Sequence, residues 1–292
     1  MGNESREELG ASGRRQLERL VELALAEDLG EKGDITSQAI FTPRDRDAAR
    51  LIARDACTVS GLDAGREVCR QVDSSLTWLP LVEDGRQMPA GAEMARIEGA
   101  TVSILKAERT VINFIAHLSG VATLTRRFVM LLEGLPARIA ATRKTLPGLR
   151  LLEKQAVRDG GGESHRLGLY DAVLIKDNHI IAAGSVAAAV KAARDSLGAD
   201  VDIEVEADTV SELEDAIRAG ANTVLLDNMR PALVRECVQI AGGRVVIEAS
   251  GGIDPGNVRA YAEAGADVIS IGILTHSAPA IDISLEMEKL VL

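Results

Sequence analysis

The sequence has very few aromatic residues: three Phe, two Tyr and one Trp, or 2% of 292 residues. Platforms for single-stranded nucleic acid stack bases on aromatic rings, so that class is disfavoured. A formal net charge of −11 points the same way, since nucleic-acid surfaces are basic. Small anionic substrates remain compatible, because a local basic pocket can sit in an acidic protein. Cysteine is also scarce. Cys57, Cys69 and Cys237 form no CxxC pair and are odd in number. A disulfide framework or a cysteine zinc site is therefore not expected, and a reducing cytoplasm is the natural compartment. No window approaches 18 apolar residues, so no transmembrane helix is expected. The start, MGNESREELGASGRRQ, has no apolar core of signal-peptide length, and Arg6 stands where a myristoylation signal needs Ser or Thr. Residues 1–13 read as a frayed polar leader.

The remaining composition is that of a globular protein. Hydrophobic residues make up 46% and charged residues 26%. The length implies about two domains, or a large barrel with an appendage. From Arg14 to Asp28, Leu17, Leu20, Val21, Leu23, Ala24 and Leu25 recur at mostly helical spacing, and Gly30 and Gly33 end that helix. RLIARDACTVSG, LTWLPLV and MARIEGA read as strands, LDAGREVCRQVD as a helix, and 103–118 and 121–134 as two further helices. This part is expected to be a small α+β domain.

From about residue 137 short apolar runs alternate with amphipathic stretches. The runs begin at 138, 172, 201, 223, 245 and 268, so the last four steps are 29, 22, 22 and 23 residues. VSELEDAIRAGA and PGNVRAYAEAGA both end in Ala-Gly-Ala, a glycine stop before the next strand. Strand and helix alternating at a near-constant step indicate right-handed βαβ units and a parallel sheet. Six or seven such units suit a closed or nearly closed α/β barrel. An open doubly wound sheet is the competing arrangement, but no GxGxxG follows the first strand.

In such barrels reactive groups sit at the C-terminal ends of the strands. Those ends carry Thr142, Arg143, Lys144 and Thr145; Lys176, Asp177, Asn178 and His179; Glu204 and Glu206; Asp227 and Asn228; Ser250, Gly251 and Gly252; and Gly272. Strand ends meet solvent, so one charged residue there means little. Six consecutive ends bearing reactive or phosphate-compatible groups mean more. Glu204 and Glu206 share a face, and Glu206, nearer the end, is the stronger candidate. Ser250-Gly251-Gly252 could be an ordinary turn. At a strand end it could also aim N–H groups at a phosphate, helped by a helix starting near Pro255. Segment 142–179 holds seven Lys or Arg against five acids, plus His165 and His179. Gly160-Gly161-Gly162 followed by Ser164-His165-Arg166 allows close backbone approach beside two cations.

ATRKTLPGLRLLEKQAVRDGGGESHRLGLYDAVLIKDNHI resembles the quinolinate phosphoribosyltransferase (decarboxylating nicotinate-nucleotide pyrophosphorylase) family. LAEDLGEKGDIT, ERTVINFIAHLSGVATLT, EVEADT, LLDNM and EASGGI resemble its other blocks in order, over about residues 20–290. The resemblance implies an N-terminal α/β sandwich domain over 1–120, joined by the tail 279–292, and an incomplete α/β barrel over 121–278. It implies phosphoribosyl transfer from phosphoribosyl pyrophosphate to quinolinate, with decarboxylation to nicotinate mononucleotide, in NAD biosynthesis. It implies a cytoplasmic homodimer with composite sites, open to assembly as a hexamer, with no nucleic-acid or membrane partner.

By the same resemblance Arg109 is donated across the dimer to quinolinate. Arg143, His165, Arg166 and Lys176 line the dicarboxylate, Thr142 is a further substrate-binding residue, and Lys144 reaches the phosphates. Glu206 and Asp227 bind the ribose hydroxyls and Mg²⁺, while Ser250, Gly251, Gly252 and Gly272 form the 5′-phosphate loops. Lys144, Lys176, Glu206 and Asp227 are the catalytic set, and Mg²⁺ is expected to arrive with the co-substrate. Ala116, Gln155 and Ser164 depart from the family's common Gln, Tyr and Asn. Other readings are a paralogue acting on nicotinate or serving molybdenum metabolism, an aldolase-like barrel using Lys176 as a Schiff-base lysine, and a non-catalytic homologue.

Overall fold

The structure, a computed structural model, describes residues 10–198 and 200–288. In chain order the elements begin α1 (Ala11–Leu29), α2 (Ile35–Ile40), β1 (Arg46–Ala53), β2 (Cys57–Thr58), α3 (Leu62–Val72), β3 (Thr77–Pro80), β4 (Gln87–Met88), β5 (Glu93–Ala100) and α4 (Thr101–Leu131). There follow β6 (Arg138–Ala141), α5 (Arg150–Asp159), β7 (Glu163–Ser164), β8 (Val173–Ile175), α6 (Asp177–Ala183), α7 (Val186–Leu197), β9 (Ile203–Ala207), α8 (Val210–Ala219) and β10 (Thr223–Asp227). The last are α9 (Pro231–Ala241), β11 (Val246–Ser250), α10 (Val258–Glu263), β12 (Val268–Ile271), α11 (Ile273–His276) and β13 (Ile283–Glu288).

The chain divides into two compact units: 1–123 with 146–160 and 278–292, and 124–145 with 161–277. The first is built on an antiparallel sheet ordered β13-β1-β5-β3. Leu51 and Ala53 of β1 and Ala95 and Ile97 of β5 are fully buried, as expected of strands covered on one face. Asp34 caps α2 by accepting from the Thr36 and Ser37 amides at 3.1 and 2.9 Å.

Two local expectations are corrected here. The helix begins at Ala11, so the leader is shorter than 1–13; residues 1–9 lie outside the described residues. The helices expected at 103–118 and 121–134 are one helix, α4. A Ser-Gly pair does not break it because tertiary contacts hold it there. Ser119 exchanges hydrogen bonds with the Ser60 backbone, and a Cβ on Gly120 would stand 2.2 Å from the Pro279 carbonyl. Segment 146–160 clusters with the first unit. Glu153 of α5 is fully buried there, accepting from the Leu146 amide at 3.1 Å and paired with His117 at 2.8 Å.

The second unit is a parallel sheet ordered β7-β6-β12-β11-β10-β9-β8. β7 and β8 are consecutive in sequence yet stand at its two edges, so the ring is incomplete between them. The two-residue strand β7 has no apolar run and escapes a sequence reading. Local chemistry fixes the helices between strands. Thr209 and Glu212 cap α8 reciprocally, and Gly220 ends it at φ 85°. Helix α10 starts at Val258, three residues later than the sequence indicates, because Asp254 and Asn257 form a turn first.

Candidate active site

The strands of the second unit alternate with period two. Val224, Leu226, Ile247, Ala249 and Ile269 are buried outward, while Leu225, Asp227, Glu248, Ser250 and Ser270 line a cavity of about 310 Å³. The register carries this across the sheet: Leu225 stands level with Glu206 on one side and Glu248 on the other, and Asp227 with Ser250. The remaining walls are Thr142, Arg143, Lys144, His165, Arg166, Leu174, Lys176 and Glu206.

The cationic wall is held in place by its own backbone. The Lys144 amide donates to Thr142 Oγ1 at 3.1 Å, and Thr275 Oγ1 donates to the Lys144 carbonyl at 2.8 Å. The Lys144 stem runs over Gly272, where a Cβ would stand 3.2 Å from Cδ. The Lys176 amide donates to His179 Nδ1 at 2.9 Å, which fixes the start of α6, and Lys176 Nζ donates to Glu206 Oε2 at 2.8 Å. Burial, and then the neighbouring Arg143, pull the Arg166 guanidinium below its ordinary pKa. Arg143 Nε is buried without a hydrogen-bond partner. An unmet buried donor costs about 1–3 kcal/mol, which an anionic ligand would recover.

The floor is acidic. His165 Nε2 lies 3.0 Å from Glu204 Oε2 and 3.7 Å from Glu248 Oε2. Ser270 Oγ donates to Glu248 Oε1 at 2.5 Å, and Glu204 Oε1 is buried without a partner. Burial, and then the Glu204 charge, push the Glu248 carboxyl up to about 7; His165 and Ser270 oppose the shift. His165, Glu204 and Glu248 also bring ligand-type atoms within 4.8 Å of one another. This three-residue cluster was not expected from the sequence. Glu206 and Asp227 belong to no such cluster among the described residues, so they could supply only part of a metal's coordination.

Of the residues singled out from sequence, Thr142, Arg143, Lys144, His165, Arg166, Lys176, Glu206, Asp227 and Ser250 share this cavity. Gly251, Gly252 and Gly272 are not among its lining residues. Arg109 is exposed on α4 in the first unit and is not among the lining residues either. Glu248 and Ser270 were missed, although Glu248 sits two residues before Ser250 and therefore faces the same way. A carboxylate inside an apolar strand is costly without a partner, and that was the available signal.

Residues 34–119 match the quinolinate phosphoribosyl transferase N-terminal domain, and 121–286 match its C-terminal domain. The chain is 41% identical over 272 residues to a probable nicotinate-nucleotide pyrophosphorylase (carboxylating) of Bacillus subtilis, covering 93% of each. It is 40% identical over 266 residues to the protein so named in Methanothermobacter thermautotrophicus, covering 88% of this chain and 94% of that one. The solved nicotinate-nucleotide pyrophosphorylase of Francisella tularensis superposes with a TM-score of 0.92 at 40% identity, over 97% of this chain and all of that one. With both domains matched in order and the relatives aligned almost end to end, the chain belongs to the quinolinate phosphoribosyl transferase family.

Proposed function

We propose that the chain transfers the phosphoribosyl group of phosphoribosyl pyrophosphate to quinolinate and decarboxylates the product, supplying nicotinate mononucleotide for NAD biosynthesis. The observation that carries this reading is the cavity's wall of four cationic side chains, Arg143, Lys144, Arg166 and Lys176, with a buried Arg143 donor unmet, above a floor that holds His165 among carboxylates. Quinolinate brings two carboxylates, and the co-substrate a phosphate and a pyrophosphate. Together they answer Arg143, Lys144, His165, Arg166 and Lys176. The pyridine nitrogen attacks C1 of the ribose, and the bond from C1 to the pyrophosphate oxygen breaks with its electron pair leaving on pyrophosphate. Positive charge develops on the ribose as this happens, and the cavity-lining carboxylates Glu206 and Asp227 would stabilise it. The ring nitrogen becomes cationic. The bond to the adjacent carboxylate then breaks, CO₂ departs, and its electron pair remains at the ring carbon, which takes a proton.

The donor set around Glu206 and Asp227 fits Mg²⁺. Burial, and then the Glu212, Asp227 and Glu206 charges, push the nearby Asp208 carboxyl up. Glu206 and Asp227 would hold Mg²⁺ together with the co-substrate's oxygens, and its chemistry is to neutralise the departing pyrophosphate. Chelation is expected to abolish turnover while the melting temperature stays fixed. A large fall in melting temperature on adding chelator alone would contradict a metal delivered with substrate.

Arg109 belongs to the same reading. Exposed on α4, it would reach a carboxylate in a second subunit's cavity, making the active form a homodimer with composite sites. Free, buried Cys57, Cys69 and Cys237 accord with a reducing cytoplasm. Arg109→Ala and Lys176→Ala are each expected to be inactive. A randomly exchanged mixture should recover about a quarter of wild-type activity, because each heterodimer gathers both defects into one site. No recovery despite demonstrated subunit exchange would show that Arg109 serves its own barrel or none. The reaction itself is tested by incubating the protein with quinolinate, phosphoribosyl pyrophosphate and Mg²⁺. CO₂, pyrophosphate and nicotinate mononucleotide should form in equal amounts; pyrophosphate without CO₂ would overturn the reading.

A further inference from the structure

Asn228 is the only non-glycine residue with positive φ among the described residues, at 54°. That region is uncommon for side-chain-bearing residues, and asparagine is among those that tolerate it. Three contacts converge on it. Its amide N–H donates to the Ser250 carbonyl at 2.9 Å, extending the β10–β11 ladder beyond the Asp227–Ser250 pair. Its side-chain Nδ2 donates to Asp227 Oδ2 at 2.7 Å. Its Oδ1 and backbone lie so close to Gly251 that a Cβ there would stand 2.3 Å from Oδ1 and 2.8 Å from the Asn228 nitrogen. Gly251, at φ 92°, is the residue that makes room.

A plain strand terminator would need only the backbone bond. It would not need an amide turned onto Asp227, nor a glycine opposite that amide. Backbone strain persists where surrounding structure over-determines it, and here the surroundings are two candidate substrate-binding elements. The geometry points to Asn228 as a positioning residue: its amide sets the Asp227 carboxylate, and its body sets the Ser250–Gly252 loop, so the two are held as one unit. This rests on the proposed assignment of Asp227 and the 250–252 loop to phosphoribosyl pyrophosphate. The consequence is selective. Loss of the Asn228 side chain should disturb the phosphoribosyl half of the site and spare the cationic wall at 143–176.

Asn228→Gly tests this, because glycine keeps both the left-handed backbone and the N–H to Ser250. We expect kcat/KM for phosphoribosyl pyrophosphate, at saturating quinolinate, to fall about 10–100-fold, the range for partners that orient ligating groups. KM for quinolinate should move less than about twofold, and the melting temperature should stay near wild type. Asn228→Asp, which sets a second charge beside Asp227, should lose more. In an Asp227→Asn background, Asn228→Gly should add less than about twofold, because the group it positions is already altered. Wild-type kinetics for Asn228→Gly, an equal loss for both substrates, or an undiminished effect beside Asp227→Asn would each overturn the proposal. If Asp227→Asn alone behaves as wild type, the assignment of Asp227 falls, and this role for Asn228 falls with it.

Discussion

Lys176→Ala will lower kcat/KM by roughly thirtyfold to several thousandfold, with most of the loss in quinolinate binding. Truncating one member of a desolvated, hydrogen-bonded charge pair costs about 2–5 kcal/mol, and each 1.4 kcal/mol is tenfold. Two effects add here: the cavity loses one of its cations, and Glu206, whose Oε2 had accepted from Lys176 Nζ at 2.8 Å, is left facing the incoming anions. Stability will respond far less. The Lys176 side chain is 47% exposed, and exposed pairs contribute about 0.2–1 kcal/mol, so the fold should survive with little change in melting temperature. Steady-state kinetics and thermal unfolding on the same preparation separate the two effects. A kcat/KM within threefold of wild type would make Lys176–Glu206 an ordinary surface pair.

Glu248→Gln should make the protein more stable in alkaline solution. Burial and Glu204 raise the Glu248 carboxyl to about 7 in the fold, well above the usual carboxylate range. The folded state therefore binds this proton more tightly than the unfolded chain does. The stability from this group is fully present below about pH 4.5 and is lost as pH rises through 7. An isosteric neutral amide escapes that loss, on the order of 3 kcal/mol at pH 8.5, at about 1.4 kcal/mol per pH unit. The melting temperature of the variant should exceed that of wild type by several degrees at pH 8.5 and differ little at pH 5. Turnover should fall at both, because His165 loses one of the two carboxylates that flank it. A variant less stable than wild type at pH 8.5 would show that His165 stabilises the charged carboxylate more than burial penalises it.

Most of the parallel strands were legible because they are largely buried and read as short, mainly apolar runs. Arg138–Ala141 and Val268–Ile271 sit where those runs lie. Their ends named most of the cavity's charged residues for the same reason, since a barrel gathers strand ends at one mouth. What was not legible lacked a local pattern. Glu163–Ser164 is too short to show a period, and its pairing with Ala140 and Ala141 is a tertiary fact. Ser119-Gly120 reads as a helix break, and only the chain packed against it shows otherwise. Glu248 hides inside an apolar strand, and its meaning depends on His165 and Glu204, which lie 83 and 44 positions away in the chain. Asp254 delays α10 through a turn that hydropathy does not see.

On the proposed function, this cavity serves a pyridine with two carboxylates. The most direct test compares kcat/KM for quinolinate and for nicotinate, which lacks the 2-carboxylate, with phosphoribosyl pyrophosphate and Mg²⁺ saturating. Without that carboxylate, buried cationic donors go unanswered, and sites built to bind a polar group reject analogues lacking it by about 10⁴-fold or more. Quinolinate should be preferred by at least about a hundredfold even after allowing for the cavity's exposure to water. Nicotinate turned over as well as quinolinate, or better, would contradict the account.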